Sequence, residues 1–356
     1  KGILIENGLM ESGWATTEEI RDALEKFRSE SGKFVIAYSD YLLLQQGYYL
    51  SSIADKIYIN PSSSVDFRGL SGDVMFYKKA LEKLGVDVQV IRHGKFKGAV
   101  EPFLLDGLSK ENREQISAYI GSIWNHAVAE LSAARNIPAD KLHQLADQLE
   151  GYLAPGALAG GLVDGLIFRD QLYDTLKILS GLDTDDKIQL VPMAKYTKVP
   201  AAKKAVSSRK KISVIFASGN IVMGKGSEYS IGGTNYADII RKERKDSSVK
   251  AIVLRVNSPG GSAMASDEIW RELKLAAEKK PVVVSMGNYA ASGGYFISAP
   301  GTKIYATPTT LTGSIGVFGL IPNAEKLLEQ KLGIGYETIN TNENSDFLSP
   351  FRPLKP

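Results

Sequence analysis

Residues 48–65, YYLSSIADKIYINPSSSV, run in parallel with residues 295–312, YFISAPGTKIYATPTTLT. The likeness extends in both directions. Upstream, KGILIE…TTEEIRDALEKFRSESGKFVIAYS matches KAIVLRV…ASDEIWRELKLAAEKKPVVVSM; downstream, KKALEKLGVDVQVI matches EKLLEQKLGIGYETI. A chain that repeats a whole succession of elements builds one folding unit twice. Each unit reads strand, amphipathic helix, buried strand, helix, strand, helix, strand. Val/Ile-rich strands alternating with helices imply parallel pairing through crossover helices, hence an α/β class. In the first helix Thr16 and Glu19 have capping-box spacing, and Ile20, Leu24 and Phe27 recur on one face.

Two segments are not duplicated. Residues 109–180 predict a helical arm, with Ser109 as N-cap and Ile116, Ile120, Ile123, Ala127 and Leu131 at helical spacing. Residues 181–211 are polar, basic and Pro-interrupted and read as a solvated linker. The expected organisation is therefore 1–180 for the first repeat and its arm, and 212–356 for the second repeat. The second repeat stops at Pro356, where its own arm would begin, and the first starts within a strand. A missing C-terminal arm, an upstream anchoring segment and lost loop residues near IENGL and SDYLL are expectations from this comparison.

Composition removes several classes of function. A net charge of +3 over 356 residues is too small to argue for nucleic acid. There is no cysteine, so thiol catalysis, disulfides and cysteine metal sites are excluded. His93, His126 and His143 are scattered, and no pair has metal-ligand spacing. No apolar run reaches 18 residues, the length a membrane-spanning helix needs. Neither a phosphate-binding loop nor a dinucleotide fingerprint is present, so no cofactor and no metal are expected.

Candidate chemistry concentrates in the second repeat. Its first strand runs into Asn257-Ser-Pro-Gly-Gly261, and Gly260 or Gly261 there can direct a backbone N–H into a cavity. Such a donor suits an oxyanion hole, where acyl transfer develops negative charge. In NYAASGGYFIS (288–298), Ser292 lies on a strand-to-helix turn, and the N–H of Gly293 offers a second donor. The first repeat works as an internal control. Gln45 and Gln46 stand opposite Ser292 and Gly293, and NSPGG has no counterpart. A serine needs a base, and no histidine lies in a repeated strand-to-helix turn. Lysine is the alternative. At its ordinary pKa of about 10.4, roughly one lysine in two thousand is neutral at pH 7, so burial must depress it. VIRHGKFKGAVEPF (90–103) places Lys95 and Lys97 among Gly, Phe, Ala and Val, whereas the second repeat has TINTNENSDF, with Ser345 opposite Lys97.

RVNSPGG, then AASGGYFIS followed by TLTGSIGV, together with GKFKGAVEPF upstream, resemble the signal peptide peptidase A (protease IV) family in its long two-repeat bacterial form. The likeness covers essentially the whole chain. It implies tandem ClpP/crotonase-like repeats, that is, superhelical ββα units, with a helical arm. It implies Ser292 as nucleophile, Lys97 as general base with Lys95 a bystander, and Ser314 as the hydroxyl assisting the lysine. The oxyanion donors would be Gly293 and either Gly260 or Gly261. The same resemblance implies a membrane-associated serine endopeptidase that degrades cleaved signal peptides and other apolar peptides. It would be a homotetramer at the bacterial inner membrane, facing the periplasm or cell exterior and anchored by a segment outside this chain. Since Ser292 and Lys97 lie in different repeats, the expectation is that the dyad closes between neighbouring subunits. Two other classes share part of the pattern. A crotonase-like acyl-CoA enzyme would need carboxylate acid/base groups and a basic nucleotide site; a non-catalytic scaffold of a membrane complex would need neither.

Overall fold

The computed structural model describes residues 1–8, 10, 12–183, 185–200 and 208–354. The first unit comprises β1 (Ile3–Glu6), α1 (Trp14–Ser31), β2 (Val35–Ser39), β3 (Leu42–Leu44), α2 (Gln45–Ser51), β4 (Lys56–Ile59), β5 (Ser64–Asp66), α3 (Lys78–Leu84) and β6 (Asp87–Arg92). A mostly helical stretch follows: α4 (Glu101–Leu104), α5 (Lys110–Arg135), α6 (Ala139–Gln148), α7 (Ala154–Ala159), β7 (Gly165–Leu166) and α8 (Arg169–Ser180). Within the expected linker lies one short helix, α9 (Met193–Tyr196), while residues 184 and 201–207 fall outside the described residues. The second unit comprises β8 (Lys211–Ser218), β9 (Asn220–Val222), β10 (Ser230–Gly232), α10 (Gly233–Lys245), β11 (Val249–Ser258), α11 (Ala263–Ala277), β12 (Val282–Ala291), α12 (Gly293–Ser298), β13 (Lys303–Tyr305), β14 (Leu311–Gly313) and β15 (Phe318–Asn323).

The duplication is visible in the sheets. In the first, strands run β1-β2-β4-β7; in the second, β8-β11-β12-β13 with β14 also on β12, and all of these pairings are parallel. The shared order β1-β2-β4 and β11-β12-β13 is the α/β class expected from Val/Ile-rich strands separated by helices. Alternation builds the second core: Ile252, Leu254 and Val256 of β11 and Val282, Val284 and Met286 of β12 turn inward on Ile269 and Leu273 of α11. In the first unit β2 is buried along its whole length. One face joins the main core, and the other, through Ile36 and Tyr38, packs on Leu172 and Leu176 of α8. The helix over 110–135 begins at the expected cap, since the Ser109 hydroxyl accepts the Asn112 N–H at 3.1 Å.

Two expectations of local structure are corrected. No Thr16/Glu19 capping box forms. The first helix starts earlier, at Trp14, so Thr16 is already inside it, and its N–H is taken by Asn288 Oδ1 of the second unit at 2.9 Å. Glu19 instead pairs with Arg255 of β11, and Ile20 is left exposed while Leu24 and Phe27 pack on the core. The strand expected at 335–339 is not formed, and those residues are coil. The strand that matches it in the first unit, β6, owes its conformation to a partner, β15. Residues 335–339 have no such neighbour, and a lone strand leaves its ladder unmade. Among the described residues, no helix is long and apolar enough to cross a membrane.

Candidate active site

Ser292 lies at the junction of β12 and α12 with φ 53° and ψ −117°. A non-glycine residue held there costs about 1–3 kcal/mol, and the surroundings must impose it. They do so from three sides. The Ser292 N–H donates to Gly313 O at 2.8 Å, continuing the β12–β14 pairing, and the Ser292 carbonyl accepts the Phe296 N–H at 2.9 Å, opening α12. The 258–261 loop closes the third side. A Cβ on Gly294 would lie 2.5 Å from Ser258 O, and one on Gly293 would lie 2.6 Å from Ser266 Oγ. The small residues around Ser292 are therefore a packing requirement.

Lys97 reaches this serine from the first unit. Its Nζ lies 3.0 Å from Ser292 Oγ, 3.1 Å from Ser314 Oγ and 2.8 Å from Ser314 O. The cause is an antiparallel ladder in which β6 pairs with β15 from Asp87↔Asn323 to Arg92↔Phe318. Lys97 follows the last rung on one strand, and Ser314 precedes it on the other, so both emerge at the same end. Ser314 also has positive φ, 50°, which turns its hydroxyl and carbonyl toward one point. Gly316 lies against the lysine stem, where a Cβ would make only ordinary contact with Lys97 Cδ at 3.6 Å; it is the backbone, at φ +141°, that calls for glycine there. Lys97 is only 4% exposed, whereas Lys95 faces solvent. Burial pushes the Lys97 ammonium down from its ordinary pKa, and among the described residues no carboxylate opposes that shift. A neutral amine in this seat can donate to both Ser314 oxygens and accept the Ser292 hydroxyl proton.

Of the two glycines expected to offer an oxyanion donor, Gly260 has its N–H engaged by Ser258 Oγ at 3.1 Å, and that hydroxyl donates in turn to Gly219 O at 2.7 Å. The loop is stitched to β9 by Ile221 N–H to Gly260 O and Ser262 N–H to Ile221 O, both 2.9 Å. This leaves the Gly261 N–H without a partner among the described residues. The Gly293 N–H, in the first turn of α12, has no intrahelical acceptor. The loop touches the serine directly: a Cβ on Gly260, at φ +102°, would come 2.7 Å from Gly293 N and 2.8 Å from Ser292 Cβ.

The corresponding place in the first unit is closed. Gln45 follows β3 as Ser292 follows β12, but its side-chain oxygen accepts the Arg68 and Gly69 N–H groups at 3.1 and 2.9 Å. It staples the loop after β5, the counterpart of the loop after β14 that carries Ser314. No histidine approaches the serine: His126 bonds Glu18 at 2.9 Å, His143 accepts from Trp124 at 3.4 Å, and His93 faces solvent. Ser345 is exposed and apart from the cluster. No group of His, Asp and Glu side chains able to hold a metal occurs among the described residues.

The expected closure of the dyad between neighbouring subunits is corrected by this geometry. Ser292 and Lys97 meet within one chain, because the β6–β15 ladder already joins the two units. Sequence reasoning also passed over Asn288, Gly316 and the buried Glu18, whose carboxylate receives the Thr309 hydroxyl just ahead of β14. The second glycine of GSIG was the available signal for Gly316; Asn288 and Glu18 act across the repeats and leave no local pattern.

A parallel sheet with crossover helices, duplicated in tandem and bearing a strained serine beside a glycine loop, defines the ClpP/crotonase type of α/β protein. The chain belongs to peptidase family S49, whose sequence profile matches residues 27–183 and 274–356. The Clp protease profile matches residues 203–312. Protease 4 of Haemophilus influenzae is 38% identical over 99% of this chain and 58% of its own length. Protease 4 of Salmonella typhi is 40% identical over 95% of this chain and 55% of its own. The chloroplastic serine protease SPPA of Arabidopsis thaliana is 33% identical over 100% of this chain and 53% of its own. The chain thus spans just over half the length of these relatives.

Proposed function

We propose that the chain is a serine endopeptidase with Ser292 as nucleophile and Lys97 as general base. The observation that carries this reading is the 3.0 Å contact between Lys97 Nζ and Ser292 Oγ, with a buried amine that meets no carboxylate among the described residues. Ser292 Oγ attacks the peptide carbonyl as neutral Lys97 takes its proton; the resulting ammonium then protonates the leaving amine. Water repeats the sequence on the acyl-enzyme, with Lys97 again as base. Ser314 holds Nζ through its hydroxyl and carbonyl, so the lone pair is aimed at Ser292. The N–H groups of Gly293 and Gly261 receive the oxyanion, each contributing about 2.7–4 kcal/mol by comparison with measured oxyanion donors.

Membership in family S49 and the protease relatives support the reaction class. Cleaved signal peptides and other apolar peptides are the proposed substrates, and the proposed setting is the outer face of a bacterial inner membrane, in a homotetramer. The crotonase reading has nothing to recommend it at the site: no carboxylate bonds Ser292, Lys97 or Ser314 among the described residues. A fluorophosphonate probe tests the proposal. It should label the wild type at Ser292 and should fail on Ser292→Ala and, at neutral pH, on Lys97→Ala. Equal labelling of all three proteins would remove the dyad.

A further inference from the structure

The segment 93–100 that carries Lys97 forms no sheet ladder, and its only regular structure is a single 3-10 turn at Gly98–Val100. A catalytic amine on such a segment needs an anchor. Its near end is held by Arg92, the last rung of the β6–β15 ladder. Its far end is Glu101, a fully buried carboxylate four residues beyond the lysine. Oε1 of Glu101 receives the Ser109 hydroxyl at 2.5 Å, and Oε2 receives the Ser109 N–H at 3.2 Å and Asn112 Nδ2 at 2.9 Å. Arg92 Nη1 approaches the same carboxylate at 3.8 Å, joining the two ends of the segment. Asn112 also bears on the segment directly: a Cβ on Gly98, the residue after Lys97, would fall 2.4 Å from its side-chain carbon.

We propose that Glu101 is a positioning residue for Lys97: its buried carboxylate ties both ends of the lysine-bearing segment to the first turn of α5 and keeps the amine seated between Ser292 and Ser314. The inference rests on Lys97 being the base. Burial acts to raise the Glu101 pKa, but the hydrogen bonds from Ser109 and Asn112 outweigh it and hold the carboxyl below its ordinary range. At neutral pH Glu101 is therefore a carboxylate. Its charge does not act on the lysine, whose shift has burial as its cause. The effect is mechanical, and it becomes electrostatic only through Lys97: an unseated lysine meets water and regains its ordinary affinity for protons.

The test compares wild type with Glu101→Ala, Glu101→Asp and Asn112→Ala, the last of which removes one donor and leaves the carboxylate. Two quantities are read on each purified, folded protein: kcat and KM against pH with an apolar peptide, and the pH dependence of Lys97 acetylation by acetic anhydride, followed by mass spectrometry. In Glu101→Ala, kcat should fall about tenfold or more with KM little changed, and the Lys97 labelling curve should move up by about one pH unit. Asn112→Ala should move in the same direction by less, and Glu101→Asp should recover part of the loss. Labelling that keeps its wild-type pH dependence in both Glu101→Ala and Asn112→Ala would overturn the proposal, whether or not activity falls. A wild type without Lys97-dependent activity would instead remove the parent reading, and the labelling curves would still report the seat.

Discussion

A lysine buried beside two serines carries its charge at a cost. Burial lowers the Lys97 pKa from 10.5, so the base form is gained as pH rises through the folded value. The expected kcat/KM therefore climbs with pH and reaches its plateau below the range of an ordinary lysine, while Lys97→Ala loses that limb along with the activity. The same shift has a sign for stability. The unfolded chain binds this proton more tightly, so the penalty is complete below the folded pKa and fades as pH rises toward 10.5. Lys97→Met should raise Tm at neutral pH, and the gain should shrink toward pH 10 in a calorimetric series. Ser314→Ala removes one of the three partners of Nζ and should lower kcat by about ten- to a hundredfold in steady-state assays, less than the roughly 10²–10⁴-fold a general base itself contributes, because Lys97 remains in place. At this scale the sequence was informative where the duplication supplied a contrast. Ser292 stands out because Gln45 replaces it, and the structure explains the glutamine as a loop staple. Lys97 also had a contrast, Ser345 in the second repeat, but a loop lysine is ordinarily solvated, and only the motif around it distinguished it from Lys95.

Elements show why local reading has a ceiling. Strand and helix succession was legible because period and composition are intrinsic to each segment. Partner choice was not: β6 and β15 are separated by more than two hundred residues and pair antiparallel between units whose own sheets are parallel. The start of α1 was misread for the same reason, because its capping acceptor is Asn288 of the other unit rather than a neighbour in sequence. Asn288→Ala should cost about 1 kcal/mol, the usual worth of a cap, measured as a lower urea midpoint at unchanged m-value. Gly260→Ala should be far more severe for catalysis than for folding of the first unit. Its Cβ would require φ +102° and would press on Ser292 and Gly293, so peptidase activity should vanish and fluorophosphonate labelling with it.

For the whole molecule, the two units are joined by contacts at several depths: the β6–β15 ladder, the Asn288 cap, the Arg255–Glu19 pair and the Glu18–Thr309 bond. A dyad completed within one chain predicts that mixtures of Ser292→Ala and Lys97→Ala proteins stay inactive even when their subunits exchange. Recovery of activity on mixing would show that copies share sites. The proposed tetramer is checked separately by light scattering. The ladder has one more consequence, for length. It behaves as a ruler whose zero mark is the rung Arg92↔Phe318, and from that mark both spacers, to Lys97 and back to Ser314, have a set number of residues. A library of single-residue insertions scored for activity should show two narrow intolerant gaps, at 93–97 and 314–317, while insertions within 181–200, far along the chain from either spacer, leave the measured distance intact.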